Sequence, residues 1–497
     1  MGWRVLAACP EIPALGIGAT YSEAIEPLIE RHPELFDVLE IEPQTTWIKT
    51  ADRQRPFQAD NQLLDHLARL PGRKIIHSVG RPVGGTVAPE VAELDLLKDT
   101  ISFLNAPWAS DHLSFNQTRE FATGFFLPPR QTPAGVEVAA TAIRRLQAAL
   151  MVPVAIETGV SYLRPRDDEL PDGEFVARVV EMANCGLLLD LHNAYCNSLN
   201  GRQPLDKFLD QLPLDRVWEV HVAGGFELDG FYLDAHSGAI PEPLHAVVEE
   251  IIPHLPNLKA IVFEIFPSFI PVVGLDLVRD QLEWLHAAWE RRTSAERVRP
   301  KLIPARYDAR KPDLVPPAVW ERALGRLVVG QDADDRIGLE LAKDPGVRVV
   351  ERLIHEFRAS MIVRVLPLTS RFIMLALGPE AFRTILAAYW SGVTPQMYAS
   401  SEADSFAHYL KALDLQVPHL AKILEFEQAV TGTNIDGSTR VVHFDFEPLP
   451  LLRAISEGRL PEEPPQVGDF EIELTPDGPE SSVGPDPEAI RQAFPFH

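Results

Sequence analysis

The most constraining feature of this sequence is an apolar stretch that turns polar within one short segment. Residues 185–193 read CGLLLDLHN, so a run of leucines leads directly into Asp190 and Asn193. Such a short apolar run is typical of a parallel strand that is buried on both faces. Parallel α/β sheets and barrels carry their chemistry at the carboxyl ends of their strands. The segment therefore predicts an α/β protein with a polar site at the end of this strand.

The same pattern of a short apolar strand followed by a longer helical segment recurs along residues 15–300. This alternation indicates βα units around a parallel sheet. Eight units over this length favour a TIM (β/α)8 barrel, whose usual size is about 250 residues. A doubly wound open sheet is the alternative, although the first strand carries no complete GxGxxG phosphate motif. The predicted strands are Leu15–Gly18, Val38–Glu42, Lys74–Val79, Trp108–Leu113, Val152–Thr158, Gly186–Leu191, Trp218–Ala223 and Ala260–Phe266.

Beyond residue 300 the pattern becomes mainly helical. Residues 301–317 are rich in Pro, Asp and Arg and predict a linker. Helical spacing predicts a second, mainly helical domain at residues 318–460, followed by an acidic, Pro-rich tail at residues 461–497, with short strands at Ser438–Phe446 and Asp469–Leu474. The expected order is thus a metal-binding TIM barrel at residues 1–300, the linker, the helical domain and the tail.

Composition limits the environment and the partners of the chain. A formal net charge of −25 disfavours nucleic acid, because binding to phosphates depends mostly on Lys and Arg. The cysteines Cys9, Cys185 and Cys196 form no CxxC pair, which suits a reducing cytoplasm better than a secreted disulfide scaffold. No stretch reaches the roughly 18 apolar residues of a membrane span. We therefore expect a cytoplasmic protein with no nucleic-acid or membrane partner.

Polar side chains stand at or just beyond the ends of six predicted strands. Nine of them would converge on one rim, and such a buried cluster is costly unless cations neutralise it. Imidazole and carboxylate groups without thiolate suit Zn, Fe, Mn or Co, and nine ligands exceed the needs of one ion. The sequence therefore predicts two or three metal ions held by His77, His112, Glu157, Asp190, Asn193, His221, Asp234, His236 and Glu264.

At these residues the chain resembles the multinuclear non-heme iron-dependent oxidative enzymes of the methanobactin-maturation type. The resemblance spans residues 12–290 and implies a xylose-isomerase-like TIM barrel that holds two or three irons (Fe2+/Fe3+) on the nine residues. It also implies O2-dependent oxidation of a side chain, most often cysteine, in a ribosomally made precursor peptide. It rests on IIHSVG, SDHLSF, AIETGVSYLR, GLLLDLHNAYCNS, WEVHVAGG, LDAHSGAIPEP and VFEIF.

One position departs from that family pattern, and two neighbouring positions are candidates for substrate contacts. The family usually has Asn where this chain has His192, and the spacing from Asp190 allows His192 to point into the site. Tyr195 and Asn197 follow the ligands of the sixth strand, so we expect them to line the substrate pocket. Flanking Glu219 is expected to point away from the barrel axis.

The helical part of the chain resembles the partner protein that these enzymes normally carry as a separate chain. The resemblance covers residues 320–450 and rests on SRFIMLALGPEAFRTILAAYW, DSFAHYLKAL and VPHLAKILEFEQAV. It implies a natural fusion of a modifying enzyme with its peptide-handling partner. Fusion raises the effective concentration of the two modules for each other.

Three other functions fit a metal-bearing barrel. A zinc phosphodiesterase of the abasic-site endonuclease type would need a surface for duplex DNA, which the acidic composition disfavours. A divalent-metal sugar isomerase would give the helical domain no role. A metal-storage or peptide-chaperone protein would hold a closed, structural site, whereas a catalytic site keeps an open coordination position.

Overall fold

The computed structural model describes residues 12–50, 56–293, 315–413, 415–476 and 478–480. Residues 294–314, which include most of the predicted linker, lie outside these ranges, as do Cys9 and residues 481–497. The strands are β1 Gly16–Thr20, β2 Val38–Ile41, β3 Trp47–Lys49, β4 Phe57–Ala59, β5 Arg73–Ser78, β6 Ala109–His112, β7 Phe115–Gln117, β8 Ala122–Leu127, β9 Val154–Glu157, β10 Gly186–Asp190, β11 Val217–Ala223, β12 Phe226–Leu228, β13 Phe231–Leu233, β14 Ala260–Glu264, β15 Arg440–Phe446, β16 Val467–Thr475 and β17 Gly478–Glu480.

Helices connect the strands and dominate the second half of the described chain. Ten precede residue 291: α1 Glu26–Arg31, α2 Asn61–Arg69, α3 Val91–Leu104, α4 Pro133–Leu150, α5 Asp172–Ala183, α6 Leu191–Leu199, α7 Leu205–Leu209, α8 Glu242–Ile251, α9 Ile270–Val273 and α10 Leu275–Glu290. The others are α11 Pro317–Val328, α12 Arg336–Leu341, α13 Pro345–Val365, α14 Pro367–Leu377, α15 Pro379–Gly392, α16 Ala399–Leu413, α17 Leu420–Asp436 and α18 Pro448–Ser456. Short 3-10 turns cover Glu23–Ile25, Pro33–Leu35, Pro43–Thr46, Leu214–Arg216, Ile252–His254 and Arg291–Thr293.

Eight parallel strands close into a barrel in the order β1-β14-β11-β10-β9-β6-β5-β2. The TIM-barrel prediction is confirmed, and each of the eight predicted strands overlaps one barrel strand. Three antiparallel hairpins, β3–β4, β7–β8 and β12–β13, extend from the loops at the carboxyl ends of the barrel strands. These hairpins were not expected, because each strand in them has only three to six residues.

The interior of the barrel is layered along its axis. An apolar layer closes the amino-terminal end, and Trp108 and Trp218 are its largest members. Successive side chains of a strand face opposite sides, so the residue two positions later also faces inward. On five strands that later residue is polar, in the pairs Val38 and Glu40, Ile75 and His77, Ala155 and Glu157, Leu188 and Asp190, and Val262 and Glu264. The fold therefore stacks a polar layer directly on an apolar plug.

The helical half has its own core, to which α13 to α18, β15 and β16 contribute. β16 pairs antiparallel with β15, from Arg440 opposite Leu474 to Phe446 opposite Val467. It lies inside the range 461–497 that the sequence assigns to a tail, and Ile472 and Leu474 are buried in this core. Residues 467–475 therefore pack with the helical part, because alternating apolar side chains give β16 a buried face.

A further apolar cluster joins the two halves over the carboxyl-terminal rim of the barrel. It combines Phe115 and Tyr162 from the rim loops with Trp320, Leu324 and other residues of α11 and α13. Among the described residues no single helix is long and apolar enough to cross a membrane; α13 and α14, bent by 107°, pass that test only as a pair, by length and composition.

We expect Gly346→Ala to loosen this joint. A Cβ at Gly346, near the start of α13, would lie 2.1 Å from the carbonyl oxygen of Tyr162 on the rim. Forcing a methyl group into such a contact should lower the free energy of unfolding by about 1–3 kcal/mol, as measured by urea denaturation. Gly392→Ala is the matched control, because its Cβ would meet open space near the end of α15 and alanine favours helix by up to about 1 kcal/mol. Equal loss of stability in the two variants would contradict this packing.

Candidate metal centre

The polar layer begins with two histidines around one carboxylate oxygen. His112 on β6 pairs in register with Glu157 on β9. Glu157 Oε2 lies 3.1 Å from Nε2 of His77 and 3.0 Å from Nε2 of His112, and the two nitrogens are 3.3 Å apart. All three residues belong to the predicted ligand set, and the structure brings them together.

The outer hydrogen bonds of these histidines fix which ring nitrogen carries the proton. Nδ1 of His112 lies 3.1 Å from the carbonyl oxygen of Ser78, which can only accept. Nδ1 of His77 lies 2.9 Å from Ser110 Oγ, whose own hydroxyl donates to the carbonyl oxygen of Ile76. Both Nδ1 atoms are therefore donors, and both Nε2 atoms present lone pairs toward Glu157. Three lone-pair donors around one point describe a metal site.

Asp190 and Asn193 join this group from the start of α6. The side chain of Asp190 caps the helix, because Oδ1 accepts from the backbone N–H of Asn193 at 2.8 Å. Asn193 in turn donates from Nδ2 to Glu157 Oε1 at 3.0 Å. Donor atoms of Glu157, Asp190 and His221 all lie within 4.8 Å of one another. One carboxylate thus belongs to two adjoining sets of donors, as a bridging ligand would.

The other half of the layer contains the remaining predicted ligands. Nδ1 of His221 lies 3.3 Å from Glu264 Oε2, and Glu264 Oε2 lies 3.6 Å from Nε2 of His236. His236 Nε2 also lies 3.0 Å from Asp234 Oδ1. His236 has a φ of 44°, in the left-handed region that non-glycine residues seldom adopt. All nine predicted residues therefore form one continuous network.

Two buried carboxylates below the ligands were not predicted to face the barrel interior. Glu40 is fully buried and its Oε2 lies 2.9 Å from Nε2 of His221. Glu219 accepts from Trp108 Nε1 at 2.9 Å, and its other oxygen lies 3.6 Å from His221 Nε2. The expectation that Glu219 points away from the axis is wrong, because Glu219 shares a face of β11 with His221, two residues later. The register between β10 and β11 shifts at Trp218, so Trp218 and Glu219 both face the interior. The rule that residues two apart share a face, applied to Val38 and Glu40, places Glu40 on the inner face of β2, although it does not reveal the contact with His221.

The contact with Glu40 also indicates which ring nitrogen of His221 carries the proton. A carboxylate at this distance accepts from Nε2–H, so Nδ1 of His221 presents a lone pair toward Glu264 Oε2. Two lone-pair donors 3.3 Å apart repel each other unless a cation lies between them. Histidine ligands of metals are typically held in this way by a carboxylate on the far ring nitrogen.

Six of the nine side chains each present a buried atom that has no hydrogen-bond partner among the described residues. Leaving a buried polar atom without a partner costs about 1–3 kcal/mol, so six in one place require an explanation. Divalent metal ions bound to these atoms would satisfy all of them together, and the donor set fits such ions. The atoms are Glu157 Oε2, Asp190 Oδ2, Asn193 Oδ1, His221 Nδ1, His236 Nε2 and Glu264 Oε2.

The electrostatics of the layer indicate a need for positive charge. Burial raises the pKa of Asp190 far above its usual range, and the carboxylates of Glu157 and Glu264 add to that effect. Burial alone would lower the pKa of His77, but Glu40 and Glu157 outweigh it and raise the pKa to about 10. Protonation would neutralise these groups one at a time, whereas one metal ion supplies positive charge to several donor atoms together.

The two predicted substrate-contact residues lie beside the network, on α6. Asn197 accepts from the backbone N–H of Ser161 at 2.7 Å and donates to the carbonyl oxygen of Gly159 at 3.1 Å, so it holds the loop after β9. Tyr195 is half-buried, and its ring meets the edge of Tyr232 at a centroid distance of 5.6 Å. The side chain of Asn197 therefore stabilises a loop beside the site, whereas the ring of Tyr195 is partly accessible.

Aromatic rings border the ligands at the mouth of the barrel. Phe126 on β8 stacks on His112 at a centroid distance of 4.0 Å, and Phe266 lies 4.7 Å from His236. The side chains of these histidines are 13% and 15% exposed, whereas His221 is fully buried. The site is therefore approached past Phe126 and Phe266.

A closed TIM barrel with adjoining sets of imidazole and carboxylate donors at its carboxyl-terminal rim defines a candidate metalloenzyme. Residues 14–269 match the family described as RiPP precursor modification enzyme MbnB/TglH/ChrH. The chain belongs to this family, as its motifs predicted.

Curated relatives agree with this assignment. A UPF0276 protein of Chromobacterium violaceum is 30% identical over 224 residues, which cover 45% of this chain and 80% of the relative. One of Streptomyces avermitilis is also 30% identical, over 228 residues that cover 44% of this chain and 46% of the relative. The chain thus spans less than half the length of the Streptomyces protein.

Two solved structures show some likeness to this chain. A xylose isomerase domain protein from Planctomyces limnophilus aligns with a TM-score of 0.38 and 13% identity, covering 57% of this chain and 100% of that one. An L-ribulose 3-epimerase aligns with a TM-score of 0.37 and 15% identity, covering 60% of this chain and 99% of that one.

Proposed function

We propose that this protein is an O2-dependent iron enzyme that oxidises a side chain, most simply a cysteine, of a ribosomally synthesised precursor peptide. Membership of the precursor-modification family supports a peptide substrate. The observation that carries the metal part is the convergence of buried donor atoms that lack hydrogen-bond partners within the described residues. Two or three irons would supply the O2-dependent oxidation when bound, held by the nine residues of the network.

The residues of the chain would hold the donors, shape the site and exclude water. The far ring nitrogens of His77, His112 and His221 are held by Ser110, the carbonyl of Ser78 and Glu40, respectively. These contacts fix the proton positions, so that the other ring nitrogens face the polar layer. Phe126 and Phe266 shield the histidines nearest the mouth, while the apolar plug closes the opposite end. A substrate side chain would therefore enter from the rim.

We further propose that residues 318–460 act as the peptide-binding partner, fused to the barrel. Their position on the rim supports this role. Glu321 accepts from the backbone N–H of Thr86 at 2.9 Å and from its hydroxyl, and Trp320 donates to the carbonyl oxygen of Pro128 at 3.1 Å. Phe357, which is 44% exposed, meets Phe125 of β8 at a centroid distance of 6.4 Å. A peptide held there would lie next to the entrance.

A reducing cytoplasm is the proposed compartment. Both cysteines within the described ranges, Cys185 and Cys196, are buried and free of disulfides. Ferrous iron and a peptidyl thiol both persist under reducing conditions. The acidic surface gives no support to a nucleic-acid partner.

The decisive experiment combines anaerobic loading with Fe2+ and analysis of a peptide. The chain is co-expressed with a short peptide encoded beside its gene, and the peptide is examined by mass spectrometry with and without O2. We expect two or three irons per chain and a defined mass change that requires O2. The same protein is assayed with Zn2+ on abasic DNA and with Mn2+ on ketoses. Activity in either assay, without iron-dependent O2 consumption, would replace this proposal with one of the alternatives.

A further inference from the structure

His192 is a fully buried histidine that lies next to the metal centre but outside its nine proposed ligands. It occupies the first turn of α6, between Asp190 and Asn193. Its ring turns toward the loop that carries Asp234, and Nδ1 lies 2.8 Å from Asp234 Oδ1. The residue therefore contacts the half of the network formed by Asp234 and His236.

The contact repeats the arrangement seen around Glu157. Asp234 Oδ1 lies between His192 Nδ1 at 2.8 Å and His236 Nε2 at 3.0 Å. Of these two nitrogens, Nδ1 of His192 makes a hydrogen bond to Asp234 Oδ1, whereas Nε2 of His236 has no hydrogen-bond partner among the described residues. The nitrogen of His192 is therefore satisfied by the carboxylate itself, which is the position of an outer hydrogen-bond donor.

The ring of His192 is held on several sides, so its direction is set by packing. Cys196, one turn later on α6, places Sγ 3.8 Å from Nδ1 and 3.9 Å from Nε2. Gly225 approaches so closely that a Cβ there would lie 2.9 Å from Nε2. Tyr232 meets the ring edge-on at a centroid distance of 6.0 Å. A ring confined in this way keeps Nδ1 aimed at Asp234.

We infer that His192 is a positioning residue, whose Nδ1–H donates to Asp234 Oδ1 and orients that carboxylate for metal binding together with His236. The inference rests on the proposed metal centre. Outer donors of this kind typically change metal affinity by about 10–100-fold. Nδ1 of histidine and Nδ2 of asparagine are the same number of bonds from Cα. Asparagine at this position can therefore supply an equivalent donor, whereas leucine supplies none.

The test compares the wild-type protein with His192→Asn and His192→Leu. Each protein is loaded anaerobically with Fe2+ and, separately, with Zn2+, and metal affinity is measured by competition with a chelator. The ferrous proteins are also examined by Mössbauer spectroscopy. We expect His192→Leu to lose about 10–100-fold in affinity for part of the bound metal and to alter one ferrous signal. His192→Asn should lose less than about 10-fold, in line with its retained donor.

Thermal unfolding of the metal-free variants separates positioning from a general loss of packing. Similar melting temperatures for His192→Leu and His192→Asn, with different metal affinities, support the inference. Unchanged metal affinity in His192→Leu would overturn it, and so would an equal loss in both variants. If the wild type binds Zn2+ but no iron, the iron proposal fails while the same series, measured with Zn2+, still decides the role of His192. If it binds neither ion, both proposals fail.

Discussion

Glu157→Gln is expected to abolish modification of the peptide and to remove at least one iron from each chain. Glu157 Oε2 lies within 3.1 Å of both His77 and His112, and Oε1 accepts from Asn193. An amide keeps the shape of the side chain but loses the charge. If the NH2 group replaced Oε2, it would donate to the nitrogens of His77 and His112 that are proposed to bind metal. If it replaced Oε1, it would face the N–H donor of Asn193. We expect more than a 100-fold drop in product, at least matching the roughly 100-fold upper effect of removing an outer partner.

The measurements are iron content after anaerobic loading and product yield by mass spectrometry. Glu250→Gln is the matched control, since it removes the same charge from an exposed position on α8. It should leave iron content and yield unchanged. Wild-type iron binding in Glu157→Gln would show that Glu157 is not part of the metal centre.

The barrel and the six polar residues on its strands could be predicted because both follow from the alternation of side chains in parallel strands. Leu188 and Asp190, or Ala155 and Glu157, are two apart on one strand and therefore face the same way. Each strand is buried on both faces, so it is a continuous apolar run until its polar end. That local pattern carries the fold and the candidate ligands together.

The rest depends on contacts between segments far apart in the sequence. Glu40 stands within an apolar strand, and its role appears only when β2 and β11 face each other across the barrel, 181 residues apart. The position of the helical part on the rim rests on contacts such as Glu321 with Thr86, 235 residues apart. No local pattern encodes such pairings, and the short rim hairpins are likewise specified by what they pack against.

His192 illustrates how a departure from a family pattern can be interpreted from geometry. The spacing from Asp190 allowed either an inward or an outward ring. The structure turns the ring toward Asp234 and encloses it with Cys196 and Gly225. Histidine in place of the usual asparagine at this position is thus a candidate replacement of one nitrogen donor by another, outside the ligand set.

Arg358→Met is expected to lower the free energy of unfolding by about 3–5 kcal/mol, because it leaves a buried carboxylate without its cation. Arg358 is 1% exposed and donates from Nε to Glu402 Oε1 at 2.7 Å, within the helical half. Glu402 is fully buried, and its second oxygen accepts from the backbone N–H of Gln396 at 2.8 Å. Urea denaturation, monitored by circular dichroism, measures the loss.

Two comparisons distinguish an uncompensated charge from a simple loss of contacts. Arg383→Met removes the same group from an exposed pair with Glu380 on α15, where such pairs contribute about 0–1 kcal/mol. The double variant Arg358→Met with Glu402→Leu should recover part of the stability lost in Arg358→Met, since an apolar pair leaves no buried charge. A double variant less stable than Arg358→Met would instead show that the pair's hydrogen bonds to Val393 and Gln396 outweigh the burial of charge.

Because Arg358 lies on α13, which also packs on the rim, the single variant should also lower the yield of modified peptide without changing iron content.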